Sequence, residues 1–274
     1  MRRRGNYYRR RGKRRGPGIW TGNFLKMIAV IAMVMDHFAV AVMEQGILAV
    51  CNGDPDTIKL FFDSEMGARF LLADRILRGT GRIAFPIICF LLTEGFFHTR
   101  NRNRYLLRLS ICAVGSEVFF DLAVYDSWIY MGYQNAVFTL VIALAVLMGM
   151  RRFRRKPAMQ LLCVLAGSGI SWLIHSDYCV IGIILPAVFY WFSNEPIFQL
   201  IIGSILSLTE SIRFFGSAVL AYIPVMLYNG KRGYWNLKYF FYAFFPVQFL
   251  MLYLLRKALL YGDWFSSLIL QAIQ

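Results

Sequence analysis

Residues 24 to 43, FLKMIAVIAMVMDHFAVAVM, form an apolar run about one bilayer thick, yet they hold Lys26 near the start and an adjacent Asp36 and His37 past the middle. Roughly 20 apolar residues cross a hydrocarbon core as a helix, and ionisable groups inside such a helix are costly enough to point to function. Any fold this chain adopts must shelter that pair from lipid and supply it with partners.

The rest of the chain has the same character. It is 274 residues long, 58% hydrophobic and 16% charged, with a mean hydropathy of +0.52. A soluble domain of this length has no interior for so much apolar surface. The expected fold is all-α, a polytopic transmembrane helical bundle of about 8 to 10 spans. The apolar stretches are too long for the alternating strands of an outer-membrane barrel. A net charge of +15 would suggest nucleic acid in a soluble protein. In a membrane protein it reflects basic cytoplasmic loops, so nucleic acid is not expected as a partner. The cysteines at 51, 89, 112, 163 and 179 lack CxxC spacing, so neither a disulfide framework nor a metal is expected.

Residues 1 to 20 read as a basic, disordered cytoplasmic arm, and 21 to 274 as a single transmembrane domain. After the first span a polar segment covers about 44 to 79. Spans then follow at 81–97, about 105–124, 135–150, 158–174 and 178–192. A short one lies at 197–208, and two more at 213–228 and 239–255. The arm and the loops at 99–108, 151–156 and 229–238 hold 9, 4, 5 and 3 of the 30 basic residues. With alternate loops on one side, this bias places the N-terminus inside a cell membrane crossed nine times.

Lys26 and His37 are eleven positions apart, which on a helix returns to within about 20° of one face and spans roughly 16 Å. That stripe suits a long ligand entering from the cytoplasm, with a cation at its phosphate end and an imidazole at its reactive end. Asp36 points about 100° away and needs a partner on another helix. Glu94 and His98, and Glu117 and Asp121, are i,i+4 pairs. Arg82 falls at the depth of Glu117 and Asp121, so a structural ion pair with either is expected. His175 and Asp177 read as a solvated turn, and YFFYAFF (239–245) as an interfacial aromatic belt.

Several ordered blocks resemble the TraX family of membrane proteins: LKMIAVIAMVMDHFA, GRIAFPIICFLLTEGFFHTRNRNRYLLRL, QNAVFTL, SDYCVIGIILPAVFYW, LYNGKRG and KYFFYAFFPVQFLMLYLL. The family is named for the factor that acetylates the pilin N-terminus. It is similar to integral-membrane acyltransferases whose first helix carries a basic residue, ten positions and a histidine, as Lys26 and His37 do here. The resemblance implies transfer of an acetyl group from cytoplasmic acetyl-CoA, or another acyl-CoA, to an extracytoplasmic protein or glycan acceptor. His37 would be the base or acyl carrier, with its ring oriented by Asp36, Glu94 or Glu117. Lys26, Arg82, Arg104 and Arg108 would bind the CoA phosphates. Related sequences often place a histidine where this chain has Gln248. Two other readings remain: a proton-coupled transporter, which the absence of an inverted repeat opposes, and a non-catalytic scaffold of a pilus or conjugation machine. Oligomeric state is not encoded in these features.

Overall fold

The computed structural model describes residues 18–234 and 238–273, so nearly all of the predicted basic arm lies outside the described residues. Helix α1, Gly22–Val50, is the predicted first span. The Thr21 hydroxyl accepts the Phe24 amide at 3.4 Å and caps its start. The carbonyls of Lys231 and Arg232 take the amides of Gly22 and Asn23 at 2.8 and 2.9 Å, satisfying donors that a helix end leaves open. Gly233 closes this contact at φ +95°, where a Cβ would meet Asn23 and Thr21 at 3.0 Å. The NGKRG stretch is thereby fastened to the start of the first helix.

Directly after Asp36 and His37, α1 widens into a π turn over Ala39–Glu44. Such turns are rare and recur at functional sites. Beyond it, within the segment read as polar over about 44–79, lie two helices, α2 at Pro55–Asp63 and α3 at Glu65–Gly81. Asp54 and Ser64 cap these helices through the amides of Thr57 and Gly67, and Pro55 suits the first turn of α2. The polarity of α3 reflects a face that meets α1 as well as solvent.

A turn at Arg82 and Ile83 leads into α4, Ala84–His98. The next five helices lie within three residues of the predicted spans: α5 Arg102–Tyr125, α6 Ala136–Arg152, α7 Pro157–Leu173, α8 Cys179–Trp191 and α9 Pro196–Glu210. The span predicted at 213–228 is not one helix. Phe215 and Gly216 take φ of 56° and 68°, which ends helical winding. The segment breaks into 3-10 turns at Ile212–Phe214 and Ser217–Ala221 and a short α10, Tyr222–Met226. Helix α11, Lys238–Tyr261, is longer than the span predicted at 239–255, and α12, Trp264–Ile273, is a helix that the hydrophobic pattern does not predict.

By length and composition, Gly22–Val50, Glu65–His98 and Phe240–Tyr261 can each cross a membrane, and four shorter apolar helices accompany them. The described residues contain no strand, only the isolated bridges Trp20 to Tyr228 and Gln134 to Ser176. The main core centres on Phe85, Ile87, Phe96, Leu144, Ile183 and Phe189. A smaller one, built on Ile47, Cys51, Phe61 and Ile269, ties the end of α1 to α2 and α12.

Helix α11 packs along α5 and is fixed at two points. Pro246 has no amide to give the Tyr242 carbonyl, which accepts the Cys112 thiol at 3.5 Å instead. Further on, Arg256 is 2% exposed and donates to the carbonyls of Leu122, Ala123 and Ala41 at 3.1, 2.9 and 3.3 Å, and to Asp126 at 2.8 Å. It joins the carboxyl end of α5, where a cation is favoured, to the π turn of α1. Replacing Arg256 with Met should cost about 2–3 kcal/mol through the stranded carbonyls, with Lys intermediate. Thermal melting in nanodiscs measures this, and an unchanged melting point for Arg256→Met would remove the residue's structural role.

Candidate functional site

A cavity of about 730 Å³ runs inside the bundle beside α1. Gly22, Lys26, Ala29, Met33 and His37 line it from one stripe of that helix, as the spacing of Lys26 and His37 predicts, and Asp36 touches it from the edge of that stripe. Helix α4 runs antiparallel to α1 and lines the cavity from Ala84 to His98. At the Lys26 end are Arg108, Arg232, Glu94, His98 and Tyr105. At the other are Asp36, His37, Gly81, Asp177 and Tyr178. Ile88, Leu91, Leu109, Leu140 and Phe244 make the middle apolar.

His37 sits against the ring of Phe249, with centroids 4.3 Å apart, and Phe245 lies edge-on at 5.9 Å. Its Nδ1 lies 2.9 Å from Nε2 of Gln248 on α11. Asp36 faces the other way and accepts from Arg78 on α3 at 2.8 Å. The same guanidinium reaches Glu44 at 3.3 Å, beyond the π turn. Gly81 makes this approach possible, because a Cβ there would stand 2.2 Å from that of Asp36.

Arg82 does not meet Glu117 or Asp121 as predicted. It pairs with Glu210 at the end of α9, at 2.9 Å, and its guanidinium carbon lies 5.0 Å from the centre of the Phe214 ring. Both predicted partners are committed elsewhere. Glu117 accepts the side-chain amide and, at 3.3 Å, the backbone amide of Asn135. Asp121 accepts the Tyr130 amide at 2.8 Å. Glu117 thus clamps α5 to the start of α6 and does not line the cavity. Arg82 stands near the His37 end, away from Lys26 and Arg108, with which the resemblance grouped it as a phosphate ligand.

Asp177 belongs to a turn held by the start of α6. Gln134 donates its amide to His175 at 3.2 Å and accepts that of Asp177 at 3.0 Å, and the Thr139 hydroxyl donates to the Asp177 carbonyl. His175, Tyr178 and Cys179 have φ of 50°, 61° and 39°, in the left-handed region that side chains disfavour. The solvated turn predicted there holds for exposed His175 but not for Asp177, which faces the cavity. Tyr178 stacks flat on Phe85 at 3.5 Å.

Residues 21–256 match the family described as TraX protein. The chain belongs to the TraX family. Another similar protein is described as "Probable fimbrial assembly protein FimC, serogroup H1" from Dichelobacter nodosus; it is 29% identical over 83% of this chain and 92% of its own length. No solved structure matches. In this TraX-family chain the blocks that carried the resemblance meet in space: LYNGKRG on the start of α1, QNAVFTL on the SDYC turn, and FFPVQF on His37.

None of the three carboxylates predicted to orient His37 does so. Asp36 is turned to Arg78, Glu117 to Asn135, and Glu94 pairs with His98 at 3.4 Å near Lys26. The orienting contact comes from Gln248, visible in the sequence as a lone amide in an apolar helix. Of the predicted phosphate ligands, Lys26 and Arg108 line the cavity, and Arg108 Nε has no hydrogen-bond partner among the described residues. Arg104 is exposed and outside it. Sequence reasoning missed Arg78 and Glu210. For Arg78 the i,i+4 spacing from Asp74 on the approach to GRIAFP was the available signal. For Glu210 there was none.

Arg82 and Glu210 are only 14% and 13% exposed at their side chains. Glu210→Ala should therefore strand a guanidinium in the bundle and cost about 3–5 kcal/mol, while pairing Glu210→Leu with Arg82→Met recovers most of the loss. Melting of the three variants in one detergent decides it, and an additive double variant would contradict the pairing.

Proposed function

We propose that this protein is an integral-membrane acyltransferase of pilus assembly, moving an acetyl or other acyl group from cytoplasmic acyl-CoA to a pilin N-terminus or surface glycan. One observation carries the reading: a single cavity joins cations at Lys26, Arg108 and Arg232 to His37, roughly 16 Å along the helix. A donor anchored by phosphate at the first end would bring its thioester to the second. The basic bias of alternate loops supports an inside N-terminus in a multi-pass cell-membrane protein. The name of the Dichelobacter relative supports the link to pili.

Transfer forms one bond and breaks one. The acceptor nitrogen or oxygen attacks the thioester carbonyl, the C–S bond breaks, and the acceptor's proton passes through His37 to the departing thiolate, giving free CoA thiol. The apolar middle of the cavity keeps water from the thioester. To receive a proton at Nε2, His37 must carry its own on Nδ1. Gln248 controls this choice. With its amide nitrogen toward Nδ1, as found here, Nδ1 is the acceptor; Oε1 is buried with no hydrogen-bond partner among the described residues. A half-turn of the amide brings that oxygen to Nδ1 and frees Nε2 as the base. Arg78 pairs with Asp36, the residue next to His37, and leaves that carboxylate close enough to offset the charge of a transient imidazolium.

A second reading, a non-catalytic assembly scaffold, is favoured by the relative's description. Protein in nanodiscs with acetyl-CoA and a pilin-derived peptide separates the two by release of CoA thiol. His37→Ala should slow release by about 10²- to 10⁴-fold. Gln248→Leu should lower kcat about tenfold with little change in KM, and Gln248→His should restore most of it. An inserted His37→Ala protein with full activity would refute the mechanism, and no release by the wild type would favour the scaffold.

A further inference from the structure

A second hollow of about 400 Å³ is lined by Arg100, Asn101, Arg102, Asn103, Met148 and Arg151. Three guanidinium-bearing residues and two amides converge there from the α4–α5 turn and the end of α6, and no carboxylate is among the lining residues. Arg102 is braced, with its guanidinium carbon 4.8 Å from the centre of the Phe96 ring. Arg100 is exposed and forms no ion pair among the described residues. The backbone adds to the field. Helix α5 begins at Arg102, so its positive end opens on this hollow, with Asn101 capping the Arg104 amide at 3.0 Å.

Guanidinium forks match phosphate oxygens two at a time, and several forks around one hollow favour a phosphomonoester or diphosphate over a carboxylate. The hollow is continuous in sequence with the large cavity: His98 and Thr99 line the cavity, and Arg100 begins the hollow. A ligand that crosses this turn has phosphate on one side and reaches His37 on the other.

We infer that this arginine hollow binds the phosphorylated nucleotide end of the acyl donor, its 3′-phosphomonoester above all, while the donor's arm enters the cavity past His98. This inference rests on the acyl-transfer reading. It moves the phosphate contacts expected of Arg104 to Arg100, Arg102 and Arg151. The same phosphate chemistry is offered by the headgroup of an anionic lipid, so the test must separate the two.

The probes are CoA and dephospho-CoA, which differ only in the 3′-phosphate, titrated calorimetrically into the full chain in nanodiscs of phosphatidylcholine with or without phosphatidylglycerol. The wild type should bind CoA at least about tenfold more tightly than dephospho-CoA in both bilayers. Arg100→Gln with Arg151→Gln should bind both ligands alike, at the affinity of the wild type for dephospho-CoA. Arg100→Gln alone, at an exposed position, should lose part of the preference with an unchanged melting point. CoA binding without preference, or a preference kept in the double variant, would overturn the site. A preference that phosphatidylglycerol abolishes would assign the hollow to lipid and overturn it as well. Failure of the wild type to bind either nucleotide would instead count against acyl transfer itself.

Discussion

Asp36 lies in the first helix at a depth where an unpaired carboxylate would be very costly, and Arg78 cancels its charge across 2.8 Å. Much of the architecture depends on that contact. For the guanidinium to reach, α3 must lie against α1, and it does so at Gly81, where no larger residue fits beside Asp36. Once α3 is placed, the chain runs on through the helical backbone of Arg82 and Ile83 into α4, which continues along α1, and α1 and α4 become facing walls of the cavity. Arg82 is left facing α9, where Glu210 neutralises it. Two largely sheltered arginines, Arg78 answered by Asp36 and Glu44 and Arg82 by Glu210, thus join three parts of the chain around His37.

His37 gains its chemical freedom from the same arrangement. Because Arg78 holds Asp36, the neighbouring carboxylate does not bond the imidazole, and the ring is positioned by neutral or apolar groups: Gln248, Phe245 and Phe249. An amide can donate or accept, so it can serve a ring nitrogen in either state, which a carboxylate cannot. Helix α11 delivers all three groups. It is seated by the Cys112 thiol on the carbonyl that Pro246 leaves open, and by Arg256 on the end of α5.

The helices were legible wherever hydrophobicity alone decides them. The spans from α5 to α9 were readable because each is a continuous apolar run between basic or polar breaks. The cavity stripe from Lys26 to His37 was readable because an eleven-residue interval has only one helical consequence. What escaped was partnership. Glu65–Gly81 read only as part of a polar segment because Asp74, Arg75 and Arg78 interrupt its apolar pattern, and only tertiary contact with α1 makes it part of the site. Glu117 looked catalytic because a carboxylate inside a span is unusual; Asn135, eighteen residues on, is what accounts for it. The break at Phe215 and Gly216 was hidden because positive φ leaves no hydrophobic signature.

The π turn at Ala39–Glu44 falls between the stripe that faces the cavity and the stretch, Gln45–Val50, that packs with α2 and α12. Each residue added to a helical turn rotates the remainder of the helix by about 100°. The first helix is therefore two faces set out of phase on one rod. Its first part keeps Lys26 and His37 in line, while its last part turns Ile47 and Cys51 toward a separate small core. Arg256 bonds to Ala41 inside the turn and holds that phase. The small core and the cavity thus read the same helix in different registers, and the residues that build one can vary without rotating those that build the other.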